Sequence, residues 1–347
     1  MRKIPSDPPD AGGMRRAFLA ASTCDNEFAE YPLKETLMDS PGTAALTVII
    51  PAYNDANGLT RVLDELLPKA KEHNWRVIVV NDASTDDTRG VLHGYADRIT
   101  VIENEYNRGY GASIKRGILH ADTEWIATMD ADGQHRISDL VNMYGMLHPG
   151  IDALLGARVI GSHAPWSRRP GKLVLRFTAN FLAKQYIPDI NCGLRIMRRE
   201  IMLELFTVTS DRFSFSTSST IVLLQLGCRV HFVPVLVDAR IGKSTVKQMR
   251  DGFYTVMLIL RLIFLFHPLR IMLPIGLGLM GIAVILFGMS LVSDFSAPKS
   301  FLLFFLSGLQ VFLSALIADQ NSSLRRDFLL RKIHLDQLRN RPTDHRS

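Results

Sequence analysis

The sequence predicts an α/β domain with a largely parallel sheet, followed by two membrane-spanning helices. Two features of the 347-residue chain lead to this fold class. Short apolar runs at residues 46–50, 77–80, 99–102 and 125–129 alternate with segments of helical period, and this alternation is typical of βαβ units. Near the C-terminus, two longer uncharged runs follow one another. Their length suits a membrane anchor.

Residues 1–44 contain no regular pattern. Their apolar stretch at 17–21 is too short for the core of a signal peptide, and five prolines and glycines between positions 5 and 13 interrupt any periodicity. We therefore expect a disordered or loosely attached extension.

Polar side chains stand at the ends of three predicted strands. They include Tyr53, Asp55, Asp82, Asp130 and Asp132. In an open α/β sheet, ligands bind beyond the carboxyl ends of the strands, so we expect these residues to converge on one crevice. Tyr53 can stack on a base, while Asp55 and Asp82 can accept hydrogen bonds from a base or a ribose. Ordinary loop capping is the alternative for either aspartate alone.

The segment Asp130-Ala131-Asp132-Gly133-Gln134 directly follows the fourth apolar run. Its two carboxylates and one amide form an oxygen-rich cluster, which suits a divalent cation, Mg2+ or Mn2+, that also binds a diphosphate. The alternative is a polar turn that caps the next helix. The polar residues at the neighbouring strand ends favour the metal site.

A glycine-rich turn, N-R-G-Y-G-A at residues 107–112, precedes another helical segment. Such a turn permits close approach of the backbone to a phosphate or sugar. It lacks the G-x-G-x-x-G spacing of a dinucleotide site, which disfavours a nicotinamide cofactor.

Residues 247–267 begin as an amphipathic segment and become strongly apolar, with cations at Lys247, Arg250 and Arg261. We expect an interfacial helix over 246–268, lying among lipid headgroups. A third membrane segment interrupted by Arg261 is the less favourable alternative, because a central charge is costly. The net charge of +6 is then explained by membrane phosphate, and no nucleic-acid partner is required.

The uncharged runs at 271–292 and 301–318 predict a transmembrane hairpin within residues 269–320. A buried hairpin of a soluble domain is disfavoured, because both runs are apolar on every face. Basic residues flank the pair, so the positive-inside rule places both flanks in the cytoplasm, including the basic tail at 321–347. Gly276, Gly278 and Gly281 permit close helix packing and therefore a homo-oligomer; a plain lipid-facing stretch is the alternative.

In their order, the motifs V-I-I-P-A-Y-N-D, V-V-N-D-A-S-T-D, N-R-G-Y-G-A and D-A-D-G-Q-H resemble those of glycosyltransferase family 2. The resemblance spans residues 48–158 and continues through L-G-A-R, D-I-N-C-G-L-R and R-I-G-K-S, at 155–158, 189–195 and 240–244. With the hairpin, the chain is similar to the dolichyl-phosphate mannose synthase and polyprenyl-phosphate glycosyltransferase branch. The resemblance implies a Rossmann-like GT-A catalytic domain over residues 45–245.

Roles for individual residues follow from the same resemblance. The positions that match nucleotide-sugar contacts are Pro51, Tyr53, Asp55, Asp82 and Asp130. Those that match the metal and diphosphate site are Asp130, Asp132 and Gln134. Those that match phosphate or acceptor contacts are Arg195, Arg240, Lys243 and Ser244, and the catalytic set is Asp130, Asp132 and Arg195. A solvated basic loop is the alternative for residues 240–244.

The sequence departs from the family pattern at two places. Asn81 stands where many relatives have a second acidic residue, and residues 214–220 contain no acid where relatives often place a glutamate that acts as general base. A hydroxyl acceptor needs a base, whereas a phosphate monoester is already largely dianionic at neutral pH. The missing acid therefore favours a lipid phosphate acceptor, although it is also compatible with a weakened enzyme.

The resulting hypothesis is an inverting, membrane-bound hexosyltransferase. It would use a UDP- or GDP-linked sugar as donor and polyprenyl phosphate, undecaprenyl or dolichyl, as acceptor. Its catalytic domain and both termini would lie in the cytoplasm, at the bacterial inner membrane or an equivalent membrane. The spacing of Cys24, Cys192 and Cys228 agrees with a reducing compartment. The alternatives are transfer to a lipid or glycan hydroxyl, and a non-catalytic membrane scaffold that retains the fold.

Overall fold

A seven-stranded sheet forms the core of the α/β domain. The computed structural model describes residues 46–159, 186–212, 214–238, 257, 260–262, 264–292 and 298–339. The strands are β1 Leu46–Ala52, β2 Trp75–Asn81, β3 Thr100–Glu103, β4 Trp125–Thr128, β5 Ala153–Arg158, β6 Arg195–Arg198 and β7 Val230–Val235. The helices are α1 Ala56–Glu72, α2 Thr88–His93, α3 Tyr110–His120, α4 Ile137–Gly145, α5 Arg199–Glu204, α6 Phe215–Gln225, α7 Leu269–Val292 and α8 Pro298–Arg339.

The four strands predicted from the apolar runs are confirmed as β1 to β4. They pair in parallel, with β1 between β2 and β4, and β3 outside β2. All seven residues of β1 are buried, as expected for a central strand that is covered on both faces. Helix α1 covers one face through residues such as Leu63 and Leu66, and α3 covers the other through Ile114 and Ile118. The periodic apolar residues of these helices therefore define both layers of the core.

In the second half of the sheet, β6 alone runs opposite to the other six strands. Strand β6 runs antiparallel to both β4 and β5, and β5 pairs in parallel with β7. The strand order β3-β2-β1-β4-β6-β5-β7 thus brings the short strand β6 into the middle of the sheet. Arg195, its first residue, lies opposite Thr128, the last residue of β4. The turn before β6 consequently lies beside the carboxyl end of β4.

The two C-terminal apolar runs form α7 and α8. By length and composition, Leu269–Leu291 and Lys299–Lys332 could each cross a membrane. The helices pack against each other at Gly276 and Gly308, where a Cβ on Gly276 would lie 3.1 Å from the Gly308 carbonyl oxygen. Gly276 therefore serves packing within the hairpin. A Cβ on Gly278 or Gly281 would meet no heavy atom of the described protein within 4 Å.

Helix α8 continues past the apolar run and packs on the α/β domain. Its Leu329 joins the buried cluster that includes Ile201 and Met202 of α5. The ammonium of Lys332 forms an ion pair with Glu204, and the Ser322 hydroxyl donates to the Leu265 carbonyl oxygen at 2.6 Å. The first part of the region predicted as a basic tail is thus a helix in contact with the domain.

A helical segment at residues 260–262 and 264–266 lies beside α8. Leu262 and Phe266 are buried in the same cluster as α5, while Leu260 and Phe264 are exposed. His267, just beyond, hydrogen-bonds Gln225 of α6 at 2.7 Å. The described residues of this segment thus have a buried and an exposed side, and the interfacial location of the predicted helix stays a prediction. Residues 239–256 and the extension at 1–44 lie outside the described part of the chain.

Shortening Leu329 tests whether α8 contributes to the stability of the domain. Leu329 is 6% exposed, whereas the adjacent Phe328 is 67% exposed. We expect Leu329→Ala to cost about 2–4 kcal/mol by leaving a cavity and to lower the Tm of the full chain in detergent by roughly 5–10 °C. Phe328→Ala is the matched control and should change the Tm by no more than about 2 °C. Equal Tm values for both variants would contradict the packing.

Candidate active site

The carboxyl ends of β1, β2 and β4 meet at one edge of the sheet. Asn81 ends β2 opposite Ala52 of β1, and the Met129 amide after β4 donates to the Ile49 carbonyl oxygen of β1 at 3.2 Å. Tyr53 and Asp55 follow β1, Asp82 follows β2, and the 130–134 turn follows β4. The sheet therefore brings the predicted polar residues of three strands to the same crevice edge.

The loops after β1 and β2 are tied together by Asn54. Its side-chain Oδ1 accepts a hydrogen bond from the Thr85 backbone amide at 2.7 Å. The backbone amide of Asn54 donates to the Ser84 hydroxyl at 3.1 Å. Asn54 and Ala83 both have positive φ, at 55° and 58°, a conformation that non-glycine residues rarely adopt. These contacts restrain the main chain at Asn54 and therefore at its neighbours Tyr53 and Asp55. Both side chains are half-buried. Pro51 is buried within β1.

The carboxylate of Asp82 organises the glycine-rich turn before α3. It accepts from Asn104 Nδ2 at 2.6 Å and from the amides of Arg108 and Gly109, each at 2.8 Å. A nucleoside could use only the remaining lone pairs of these oxygens. The glycines of this turn leave space for the backbone of residues 210–211 to pack against them. The Ala112 backbone amide donates to the Asp211 carbonyl oxygen at 2.8 Å.

Two hydrogen bonds explain why an asparagine, and not an acidic residue, suits position 81. The Nδ2 of Asn81 donates to Glu103 Oε2 at 2.9 Å, and its Oδ1 accepts from the Ser84 amide at 3.1 Å. An ionised carboxylate at this position could not donate to Glu103. The amide is therefore the side chain that suits both neighbours.

The Asp130-Ala131-Asp132 turn is enclosed by two glycines. A Cβ on Gly58 of α1 would lie 2.5 Å from the Ala131 carbonyl oxygen and 2.9 Å from the Asp132 Cα. A Cβ on Gly193 would overlap the Asp130 carboxylate, with 2.6 Å to its Cγ. A side chain at Gly58 would require the backbone of the turn to move, and one at Gly193 would require the Asp130 carboxylate to move.

The Asp130 carboxylate is partly exposed and Asp132 is buried. Tyr110 donates its hydroxyl to Asp130 Oδ1 at 2.7 Å, and His135 Nε2 lies 3.5 Å from Oδ2. Burial favours the neutral acid, but His135, Tyr110 and the charge of Arg158 outweigh it and lower the pKa of Asp130. Burial and the nearby Asp130 charge raise the pKa of Tyr110, which keeps its hydroxyl protonated. Asp130 is therefore an anion at neutral pH.

Gln134 and its neighbours connect the turn to the chain after β7. The Gln134 amide group donates through Nε2 to the Asp238 carbonyl oxygen at 3.2 Å, and the Asp238 amide donates to the Gln134 carbonyl oxygen at 2.9 Å. Arg136 forms an ion pair with the Asp238 carboxylate at 2.6 Å, while His135 and Val237 form an antiparallel bridge. The chain thus leaves the 130–136 region two residues before position 240. Arg240, Lys243 and Ser244 themselves lie outside the described residues.

Arg195 lies behind the turn that precedes β6. It is 1% exposed. Its guanidinium donates to the carbonyl oxygens of Cys192 and Ile190 at 2.7 and 3.0 Å and to the hydroxyls of Ser219 and Thr220 at 3.1 and 2.9 Å. These four hydrogen bonds direct the guanidinium to protein atoms, and the phosphate contact of Arg195 stays a prediction. Arg195 holds the loop that places Gly193 against Asp130.

Arg158 and Asp189 form a second polar pair near the turn. Their side chains lie 2.5 Å apart from Nε to Oδ2 and 3.0 Å apart from Nη2 to Oδ1. Burial alone would raise the pKa of Asp189, but Arg158 lowers it. The two motifs that carry the family resemblance at 155–158 and 189–195 are therefore joined by one bidentate ion pair.

The donor atoms of the turn fit a hard divalent cation. Asp130 and Asp132 supply carboxylate oxygens, and Nε2 donation by Gln134 leaves Oε1 as its ligand atom. No group of three or more His, Cys, Asp or Glu side chains suitable for a metal occurs among the described residues. Mg2+ and Mn2+ commonly use one or two carboxylates together with water and substrate phosphate. The small protein donor set is therefore compatible with a cation shared with a diphosphate.

Tyr110, His135, Gly58 and Gly193 were not assigned to the site from the sequence. His135 directly follows the D-A-D-G-Q segment, and Tyr110 lies within the glycine-rich turn. Both residues therefore lie in or beside recognised motifs, but neither motif predicts that the two side chains meet at Asp130. The roles of Gly58 and Gly193 could not be predicted from the sequence, because they depend on the packing of distant segments.

Comparison with known proteins gives consistent matches. A family model described as glycosyl transferase family 2 matches residues 47–206. An uncharacterized glycosyltransferase of Mycobacterium tuberculosis is 34% identical over 60% of this chain and 92% of its own length. A dolichyl-phosphate beta-glucosyltransferase of Trichomonas vaginalis is 30% identical over 60% of this chain and 69% of its own. A polyprenol monophosphomannose synthase of Mycolicibacterium smegmatis is 28% identical over 62% of this chain and 86% of its own length.

Solved structures share the fold of the α/β domain. Glucosyl-3-phosphoglycerate synthase from Mycobacterium tuberculosis, in complex with Mn2+, uridine diphosphate and phosphoglyceric acid, has a TM-score of 0.51 and 16% sequence identity. The match covers 63% of this chain and 78% of that chain. At this identity the likeness establishes the fold alone.

The packing of Gly58 predicts that a single methyl group will disturb the site. We expect Gly58→Ala to weaken Mn2+-dependent binding of a nucleoside diphosphate about 10-fold or more, because the methyl group displaces the 131–132 backbone. Gly145→Ala at the end of α4 is the matched control, since a Cβ there meets no described atom within 4 Å. Calorimetric titration of both full-length variants with UDP and GDP would measure the effect. Wild-type affinity in Gly58→Ala would show that the turn tolerates displacement.

Proposed function

The chain belongs to glycosyltransferase family 2 and has the GT-A fold, and we propose that it transfers a hexose to a polyprenyl phosphate with inversion at the anomeric carbon. The donor is a UDP- or GDP-linked sugar. The names of the dolichyl-phosphate and polyprenol-phosphate relatives support this acceptor class. The residues of this chain support it independently, through the carboxylate turn, the hydroxyl-rich helix α6 and the apolar hairpin.

The observation that carries the proposal is the connection between the 130–134 turn and the start of the basic loop. Gln134 and Arg136 both bind Asp238, so the chain enters residues 239–244 from beside the proposed metal site. We propose that Arg240, Lys243 and Ser244, which lie outside the described residues, bind the donor and acceptor phosphates through their hydrogen-bond donors. Two anionic substrates need such cationic charge to approach each other.

Helix α6 supports a phosphate acceptor. Residues 216–220 are five buried serines and threonines. Three of them, Ser218, Ser219 and Thr220, donate to carbonyl oxygens of their own helix at 3.0, 2.8 and 2.9 Å. Hydroxyls of this kind cannot act as general bases at neutral pH. A phosphate oxygen does not require one, because a phosphate monoester already carries most of its second negative charge at pH 7.

In the proposed reaction, a phosphate oxygen of the lipid attacks the anomeric carbon of the sugar. A bond from that carbon to the lipid phosphate forms while its bond to the nucleoside diphosphate breaks, so no proton is transferred. Asp130, Asp132 and Gln134 would hold a divalent cation, which supplies charge neutralisation to the diphosphate. Arg195 supports this site by holding the 190–193 loop. Tyr53, Asp55 and Asp82 would contact the nucleoside.

The C-terminal helices provide access to a lipid acceptor. We propose that α7 and α8 form a transmembrane hairpin, with the catalytic domain and both chain ends in the cytoplasm. The distribution of basic residues supports this orientation. The packing of Leu329 and Lys332 against α5 would keep the catalytic domain close to the membrane surface, where the phosphate of a polyprenyl lipid lies.

Transfer of labelled sugar in membranes tests the proposed function. We expect product with polyprenyl phosphate and none with the corresponding polyprenol, since α6 supplies no base to activate a hydroxyl. Asp132→Ala should lower transfer by at least about 100-fold through loss of charge stabilisation. Asp64→Ala, on the outer part of α1, is the control and should retain activity.

Two results would contradict the proposal. Preferential transfer to polyprenol would assign the enzyme to hydroxyl acceptors. Failure to transfer sugar from every UDP- and GDP-linked hexose would overturn both acceptor classes.

A further inference from the structure

Asp130 is restrained on three sides. Gly193 packs against the carboxylate so closely that a Cβ would overlap it. The Tyr110 hydroxyl donates to Oδ1 at 2.7 Å, and His135 Nε2 lies 3.5 Å from Oδ2. The Asp130 side chain still has 33% of its surface accessible. A carboxylate with this many neighbours has very little rotational freedom.

Tyr110 is itself oriented by two partners. Its hydroxyl proton goes to Asp130, and the Ser216 hydroxyl hydrogen-bonds the same tyrosine oxygen. Ser216 lies in the first turn of α6. A hydrogen-bonded chain therefore runs from α6 through Tyr110 to Asp130, and it connects a helix of the second half of the domain to the turn after β4.

His135 is a buried imidazole held by its main chain. It is 7% exposed, and its backbone bridges to Val237. Its Nδ1 is buried and has no hydrogen-bond partner in the described part of the chain. Buried polar atoms normally have partners, and an exception needs a reason. Packing alone would be served by an apolar residue, whereas the placement of Nε2 toward Asp130 gives the imidazole a polar role.

We propose that Tyr110 and His135 are positioning residues that fix the Asp130 carboxylate for binding of the divalent cation. This inference rests on the proposed function, because it takes Asp130 as a metal ligand. The Tyr110 hydroxyl donates to Oδ1 and His135 Nε2 lies beside Oδ2, and each carboxylate oxygen keeps a lone pair for a cation. Groups that orient a metal ligand in this way typically change metal affinity 10- to 100-fold when they are removed.

Three variants test this inference without any sugar transfer. Tyr110→Phe removes the hydroxyl and keeps the ring, and His135→Ala removes the imidazole. His135→Gln keeps an amide donor near the position of Nε2. Tyr106→Phe is the matched control for the tyrosine, since Tyr106 is 62% exposed in the same loop. The Mn2+ affinity of each full-length variant is measured by the loss of the free Mn2+ signal in electron paramagnetic resonance, with UDP and with GDP.

We expect the Mn2+ Kd to rise about 10-fold or more in Tyr110→Phe and in His135→Ala, and to stay within about threefold of wild type in His135→Gln and Tyr106→Phe. In turnover, the metal concentration for half-maximal rate should rise, while kcat at saturating Mn2+ should remain within about threefold of wild type. A structural defect would lower kcat and Tm together and would not respond to added metal.

Unchanged Mn2+ affinity in folded Tyr110→Phe and His135→Ala would overturn the inference, as would a wild-type protein that binds no Mn2+. Failure of the proposed function gives a different result. A wild-type protein that binds Mn2+ with nucleotide but transfers no sugar to polyprenyl phosphate would refute the acceptor, while the effect of the variants on Mn2+ affinity would still be measurable.

Discussion

The structure around the site depends on the placement of two carboxylates on one short turn. Asp130 and Asp132 follow a buried strand, and like charges so close together are unfavourable away from water unless cations or hydrogen-bond donors compensate them. The fold provides donors for Asp130 from α3 and from the turn itself. It also presses Gly58 and Gly193 against the turn. Three parts of the chain thus restrain Asp130, and Gly58 restrains the backbone of Ala131 and Asp132, which is the precision that a metal and diphosphate site requires.

A second dependence connects this site to the C-terminal helices. The later part of α8 packs on α5, and α5 directly follows β6, whose first residue is Arg195. Arg195 in turn holds the loop that carries Gly193. Helix α8 and the turn are therefore connected through a series of packing and hydrogen-bond contacts. In a transferase that joins a soluble donor to a lipid, such rigidity would keep the height of the reacting phosphate above the membrane constant.

The sequence predicted those parts of the molecule that have a strong local pattern. The four parallel strands and the apolar helices could be predicted because apolar periodicity reports burial directly. The antiparallel strand β6 is only four residues long and has no such pattern. Arg195 was assigned to phosphate from its motif, yet its side chain points into the protein and binds Ser219 and Thr220. A motif supplies residue types, whereas the direction of a side chain and long-range contacts such as Tyr110 to Asp130 depend on tertiary packing.

Metal-dependent nucleotide binding is the most direct test of the central claim that this turn binds a divalent cation together with a diphosphate. Calorimetry would compare UDP and GDP binding to the full-length protein with Mn2+ and after chelation, in wild type and in the isosteric variant Asp132→Asn. We expect one of the nucleotides to bind wild type in the presence of Mn2+, and we expect chelation and the Asp132→Asn substitution each to weaken this binding at least about 10-fold. Nucleotide binding that is equally tight without metal and in Asp132→Asn would contradict it.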